Sequence, residues 1–508
     1  METLKFKHLA ASFLIVISLV STAQSNFQLD YGVPSVLGPL ARVYSIEIAP
    51  DGGYIMAGYA MVDSDYDMYL CKTNAAGELA WTRTFGGSDT DMGYAVKNTS
   101  EGGYIIAGTT RSFPSPTPRI YIVKTDQDGD TLWTKTYGSG SSNFGYDIQP
   151  TSDGNYVVTG NINSSICLFK INGEGELLWQ NLYEGDEALS VQETTDNGFI
   201  ITGQRDGDAW SEIVLMKTDS DGEPVWYKTY NAGDEITAHA VRQTSDGGYA
   251  VTGATGVLFT DAALMKTDSD GNFEWSKKFA SANTDEGLAL TETSDGAFIL
   301  TGSVGNGFTT TDLLVIKAGS DGDTIWTKSF GETILDKGYS IQQTSDGGYV
   351  IGGGHNQAGY LIKTDQNGYS GDCNESHIPI TVSDLPLTVV SESITPLFLD
   401  LTVTSGTTIV GTEGVSNILC SSVQVEQIHD NKFFMIYPTP IHHEATISSS
   451  SGIQQVQIFD VFGKQMLKQQ AKAYSVTLNT EAFSSGTYIV HALLQNGAVE
   501  ARRVVVNK

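Results

Sequence analysis

The sequence predicts an all-β chain, and three observations predict it. A ten-residue phrase occurs seven times: APDGGYIMAG (49–58), TSEGGYIIAG (99–108), TSDGNYVVTG (151–160), TTDNGFIITG (194–203), TSDGGYAVTG (244–253), TSDGAFILTG (293–302) and TSDGGYVIGG (344–353). Its spacing is about fifty residues, the period of a repeated supersecondary unit. The runs between turns alternate apolar and polar residues with period two, as strands do.

Each unit carries four landmarks. A first strand such as GYSIQQT (338–344) leads into the SDGG turn and a second strand such as YVIGG (349–353). A third strand ends in Lys, at 72, 124, 170, 217, 266, 317 and 363. A DxDG-type turn then leads to a fourth strand with Trp and an aromatic four residues later, as in WTRTF (81–85), WTKTY (133–137), WYKTY (226–230) and WTKSF (326–330). Asp-Gly and Gly-Gly supply the positive φ of tight hairpins. Four antiparallel strands in a unit of this length form a propeller blade.

The count predicts closure. Trp81, Trp133, Trp179, Trp226, Trp275 and Trp326 begin the fourth-strand pattern, and unit seven lacks it. Phe27 and, four residues later, Tyr31-Gly32 have the spacing of Trp81, Phe85 and Gly86. Residues 24–32 are therefore expected to complete blade seven beside the strand ending near Lys363. The prediction is a seven-bladed β-propeller over 24–370, closed by its N-terminal strand. A linear stack of units gives no reason for an orphan fourth strand at the front.

Charge is lopsided, with 29 basic against 59 acidic residues and a net charge of −30. That argues against nucleic acid and anionic membrane surfaces as partners. Lys5, Lys7 and His8 precede the apolar run Leu9 to Val20 and then Ser21-Thr22-Ala23. Residues 1–23 read as a signal peptide cleaved after Ala23. A membrane anchor is the competing reading, but the run is about twelve residues where a spanning helix needs ~20. No later stretch is long and apolar enough to span.

Export places the four cysteines in an oxidising compartment. Cys71 and Cys167 sit inside apolar strands and read as separate buried thiols. Cys373 and Cys420 bracket a β-prone spacer, 371–430, rich in Thr, Ser and Val. They are expected to form a disulfide that restrains the unfolded chain by ~4 kcal/mol. The spacer's conformation is not readable.

Candidate sites follow from which loops vary. The SDGG and DxDG turns share one face and hardly change between units. The loops of the opposite face vary freely, and recognition is expected there. Trp210 is the only Trp outside the repeat pattern, and Phe113 lies between Arg111 and Arg119 in a proline-rich loop. Phe259 and Phe308 also fall outside the periodic strands. Such aromatics stack on sugars, anchor protein partners or cover a neighbouring blade.

Eight residues before each phrase stand Asp91, Asn143, Asp186, Asp285 and Asp336, with Ala41 and Ile236 breaking the set. These positions are expected to circle one mouth of the central channel. There they would hold a cation, act as acid and base, or accept backbone N–H bonds. His239 lies three residues further on in unit five, where other units have Tyr or Leu. The turns 126–130 and 268–272 share the opening of a calcium loop but lack its distal bidentate Glu. A hairpin turn explains all seven such turns and calcium three or four, so no cofactor is expected. No HExxH, GxSxG, P-loop or metal-spaced Cys/His cluster appears.

Residues 431–508 form a different unit, with seven basic against four acidic residues. Alternation and turns at Phe462-Gly463 and Ser485-Gly486 suggest a small antiparallel β-sandwich. Tyr437-Pro438-Thr439-Pro440, Asp460-Val461-Phe462-Gly463-Lys464 and Ser485-Gly486-Thr487-Tyr488 occur in that order. Together they resemble the C-terminal sorting domain of the type IX secretion system, type A, with Thr439 where the family usually has Asn. The resemblance implies a Gram-negative bacterium of the Bacteroidota type and Sec export. It also implies passage through the outer-membrane secretion machinery, with the domain normally cleaved and the cargo released or surface-attached. The repeat region resembles Gly-rich repeat proteins carried as such cargo.

The expected function is a secreted or cell-surface binding module, non-enzymatic, for a glycan or a surface protein. A polysaccharide-degrading hydrolase or lyase using channel-mouth carboxylates is one alternative. A passive structural adhesin is the other.

Overall fold

The computed structural model describes residues 26–506, apart from segments 33–40, 63–64, 114–116, 306–309, 332–334, 372–373, 398–400, 406–408, 411–414, 422–433, 438–443, 461–463, 481 and 496–498. The expected signal peptide, 1–23, lies outside the described residues. The chain divides into two units, 1–424 and 425–508.

Among the described residues, the first unit contains seven antiparallel sheets built on four strands each, and in six of them the four come from one repeat period. Ala41–Ile48, Tyr54–Val62, Asp65–Thr73 and Leu79–Phe85 make the first, paired in sequence order. Its innermost strand touches Asp91–Asn98 of the next sheet, and contacts of this kind continue through all seven innermost strands. The last, Lys337–Gln343, touches Ala41–Ile48 again. Apolar side chains of adjacent sheets fill the space between them: Ile55, Leu70 and Phe85 pack with Val96, Ile106 and Val123.

One sheet draws on both ends of the repeat region. Lys337–Gln343, Tyr349–His355 and Ala358–Thr364 are completed by Phe27–Gly32, as the spacing predicted. Phe27 stands opposite Lys363, the register that places Trp81 opposite Lys72 and Trp326 opposite Lys317. Each of these rings lies over a turn glycine of the following unit. A Cβ on Gly77 (φ 80°) would fall 2.8 Å from the Phe27 ring, as one on Gly175 would fall 2.9 Å from Trp133. Tyr31 donates its hydroxyl to the Gly77 carbonyl; Tyr137 and Tyr230 donate likewise to Gly175 (2.6 Å) and Gly271 (2.5 Å).

The spacer is not a free link. It runs back around the ring and lays strands on the outer edges of the sheets in reverse order. Glu375–Ser376 pairs with Thr324–Phe330, Thr381–Asp384 with Phe273–Ala280, and Thr388–Glu392 with Pro224–Asn231. Leu397 then bridges Leu182. Thr402–Ser405 pairs with Thr131–Gly138, and Ile409–Val410 with Leu79–Phe85. Val415–Ser421 ends the hoop against Phe27–Gly32. Backbone N–H and C=O groups that would stand bare on an outer edge are thereby paired.

Cys71 and Cys167 are buried free thiols, and burial pushes the Cys71 thiol up to about 12. Cys373 and the side chain of Cys420 lie outside the described residues.

In the second unit, Phe434–Tyr437, Glu444–Asp460, Gly486–Leu494 and Val499–Val506 pair in that spatial order, and Gln465–Asn479 also pairs with Glu444–Asp460. The long strand breaks register between Ser448 and Ile453. Ile447, Val456, Ile458, Leu478, Tyr488, Val490 and Val504 form its apolar core. Among the described residues no helix is long and apolar enough to cross a membrane.

Candidate functional site

Every innermost strand carries a bulge at the same place. Its pairing skips one residue, the fourth of the strand in five sheets and the third in the other two, as between Val43 and Ser45 in the first sheet and between Gly93 and Ala95 in the second. The residues skipped around the ring are Tyr44, Tyr94, Tyr146, Leu189, His239, Leu288 and Tyr339. A bulge leaves its extra residue unpaired and re-aims the side chain. All seven line one central cavity of about 470 Å³. Four tyrosines make a continuous arc, with ring centres 4.8 Å apart for Tyr339–Tyr44, 5.3 Å for Tyr44–Tyr94 and 5.5 Å for Tyr94–Tyr146.

The cavity occupies the part of the channel between this collar and the SDGG turns. Beyond the collar its wall is polar, with Ser190, Gln149, Gln192, Gln342, Lys97 and Arg242 among the lining residues. The charges there are matched. Lys97 lies 2.8 Å from Glu47, which also accepts from the Gln342 amide at 3.0 Å. Asp147 accepts the Val191 N–H at 3.0 Å. Burial raises the Asp147 carboxyl pKa, against the pull of Lys97 and Arg242. Burial likewise lowers that of His239 on the collar. Recognition was expected on the variable-loop face; this cavity lies on the other side of the collar.

The aspartates expected around the channel mouth are placed elsewhere. Asp91, Asn143 and Asp285 begin their strands and Asp336 immediately precedes one; all are fully or almost fully buried, and none lines the cavity. Alternation is the physical reason, since a residue three positions before the bulged one points away from the side that carries it. Asp91 accepts the Gly87 N–H at 2.9 Å and the Ser112 hydroxyl at 2.8 Å. Asp186 accepts from Asp206 N at 2.6 Å, and Asp336 from Asn356 N at 3.2 Å. Asp285 accepts the Ser281 N–H at 2.5 Å and hydroxyl at 2.8 Å, while burial pushes its carboxyl up to about 6. The calcium-like turns spend their leading acid in the same way: Asp126 and Asp268 each accept two backbone N–H groups.

Phe113 packs 6.2 Å from Tyr121 and sits where a Cβ on Gly87 would be, so it covers the neighbouring sheet. Arg111 is exposed and Arg119 half-buried at a strand start. Trp210 is exposed at a hairpin tip, as are Val257, Leu258 and Phe259 in the next sheet. Phe308 lies outside the described residues. The collar was visible in the sequence only as the Tyr or Leu found where unit five has His239.

Residues 435–507 match the family model of the secretion system C-terminal sorting domain. This segment is a secretion system C-terminal sorting domain. A sorting tail of the type IX system implies a secreted or outer-membrane-surface protein that engages the secretion machinery. No curated protein matches the chain. Solved structures similar to it include propellers and surface proteins. Sqt1 from Chaetomium thermophilum is 12% identical, with a TM-score of 0.42 over 69% of this chain and 87% of that one. PorZ, a surface component of the type IX system of Porphyromonas gingivalis, is 10% identical, with a TM-score of 0.26 over 92% and 81%. A protein of unknown function from Dyadobacter fermentans is 12% identical, with a TM-score of 0.37 over 66% and 98%.

Proposed function

We propose that this chain is a seven-bladed β-propeller, exported by the type IX system, that binds a neutral saccharide unit in its channel without catalysing a reaction. The collar carries this reading: seven bulges present seven side chains to one cavity, four of them contiguous tyrosines. Aromatic faces take the C–H faces of a sugar ring, and an amide and hydroxyl wall hydrogen-bonds its hydroxyls. Ligand pockets run from about 300 to 1,000 Å³, and this cavity falls within that range. Glu47–Lys97 and Asp147 with Lys97 and Arg242 balance one another, which favours an uncharged ligand.

The buried aspartates support binding over hydrolysis, because Asp91, Asp285 and Asp336 are engaged by neighbouring loop amides rather than held across an open cleft. Closure by Phe27–Gly32 supports the ring of seven blades. The register break in Glu444–Asp460 supports a tail folded over itself as a small sandwich. The two ends of the hoop meet at Gln28: Cys420 is its strand partner, and its amide donates to Ser370 at 2.7 Å. That convergence supports a Cys373–Cys420 disulfide.

Neutral oligosaccharide arrays followed by calorimetry test the ligand. Tyr94→Ala is expected to weaken binding about tenfold or more, while Trp210→Ala leaves it unchanged. Equal binding by Tyr94→Ala and the parent protein would exclude the cavity. Deleting residues 431–508 is expected to leave the protein in the periplasm; normal secretion would overturn the export assignment.

A further inference from the structure

Two neighbouring loops hold apolar side chains out in water. The loop between Phe199–Asp206 and Ser211–Thr218 carries Trp210, 39% exposed. The loop between Tyr249–Thr255 and Asp261–Thr267 carries Val257, Leu258 and Phe259, exposed by 54%, 85% and 62%. Single exposed apolar residues are ordinary, but a contiguous group on adjacent loops is the mark of an interaction site.

Glu235 makes the two loops one surface. Its carboxylate accepts the Ser211 N–H at 3.2 Å, beside Trp210. Its carbonyl accepts the Gly256 N–H at 2.8 Å, beside Val257, and the Thr255 hydroxyl at 3.1 Å. The apolar tips are thus fixed as neighbours by one residue from the strand connection between them.

The frame around them is acidic. Asp206, Asp208 and Asp234 are exposed on these and adjoining connections, while Glu184 lies 3.9 Å from Arg205. The nearby cations are already engaged. Arg205 lies 2.6 Å from Glu392 and 3.1 Å from Glu212, and Lys278 lies 3.0 Å from Asp261. This surface therefore offers apolar contact inside an unneutralised negative field.

We propose that this surface docks a cationic polypeptide segment bearing a large apolar side chain. Charge complementarity selects the partner: basic side chains meet the exposed carboxylates while an apolar anchor packs among Trp210, Leu258 and Phe259. An anionic lipid surface is repelled by the same carboxylates. A sugar gains little from Val257 and Leu258, which have no hydrogen-bonding groups. The surface lies on the opposite face from the channel cavity and stands independently of the saccharide reading.

The test uses the full chain and fluorescein-labelled peptides of matched length: Lys/Arg-rich with one Phe or Leu, Lys/Arg-rich without an apolar residue, and Asp/Glu-rich with one Phe. The first set is expected to bind best. Its affinity should fall about tenfold or more in Leu258→Asp and in Phe259→Ala, and again as salt rises from about 50 to 300 mM. Both substitutions fall on an exposed tip, and unchanged melting temperatures confirm the fold. Equal binding of cationic and anionic peptides, or full affinity in both variants, would overturn the proposal. So would self-association or binding to phosphatidylglycerol vesicles in place of any peptide binding.

Discussion

Lys363 Nζ lies 2.8 Å from Asp346 Oδ2, and the lysine side chain is wholly buried. Asp346 is the acid of the repeated TSDGG phrase, and Lys363 ends the third strand of the same unit. The pair recurs in every unit, as Lys72–Asp51, Lys124–Glu101, Lys170–Asp153, Lys217–Asp196, Lys266–Asp246 and Lys317–Asp295. The other Asp346 oxygen accepts from Thr344 at 2.5 Å and from Gly348 N at 3.0 Å. One carboxylate thus closes the turn and neutralises an ammonium that burial would otherwise discharge.

Asp346→Ala is therefore expected to destabilise the protein. Removing one partner of a buried pair costs several kcal/mol, and partial exposure of the aspartate reduces this to about 2 kcal/mol. Thermal melting measures it. An unchanged midpoint would show that Lys363 needs no counter-ion.

Gly77→Ala should open the ring at its closing strand. The position has φ 80°, and a Cβ would lie 2.4 Å from Leu29 Cδ1. Tyr31→Phe removes the hydroxyl bond to the Gly77 carbonyl and should cost about 1 kcal/mol. Hydrogen exchange at Phe27–Gly32 should rise in both variants. Protection equal to the parent would argue against this lock.

Asp285 gives a pH dependence of defined sign. Its folded carboxyl titrates at about 6, above the unfolded value, because burial disfavours the charge. Stability from this group is complete below about pH 4 and is lost as pH rises through about 6, amounting to roughly 3 kcal/mol. Asp285→Asn keeps an acceptor for Ser281 and should remove this loss. A variant whose melting temperature still falls between pH 4 and 6 as steeply as the parent's would contradict the assignment.

Cys373 and Cys420 are expected to be joined in protein recovered from the oxidising side. Peptide mapping without reduction should find the linked pair, and reduction should lower stability by up to ~4 kcal/mol. Free thiols at both positions in secreted protein would refute the pairing.

The ring and its closing strand were legible because their signal is local and repeated: Phe27 and Tyr31 copy the spacing of Trp133 and Tyr137. The lysine and the turn acid were each visible as recurrences, yet their pairing was not, since they stand about twenty residues apart with a whole strand between. The collar depends on a one-residue skip in strand pairing, which alternation along a single strand cannot reveal; only the recurrence of Tyr44, Tyr94, Tyr146 and Tyr339 hinted at it. The aspartates misled for the same reason. Counting positions places them at the strand start, but the bulge decides which neighbours face the channel. The hoop was unreadable because its strands are short, lack the Trp and Lys landmarks, and pair with segments from about fifty to nearly four hundred residues away.

The hoop also sets an order of events. Its last strand, Val415–Ser421, lies against Phe27–Gly32, among the first residues of the described chain. Joining segments so far apart is an entropically costly and slow step. The outer edges are covered one after another by strands between residues 375 and 421, the stretch just before the sorting unit. A chain that stops before Ser421 leaves an edge uncovered and also lacks residues 435–507. Completion of the hoop and possession of the export address are thus tied to the same stretch of synthesis.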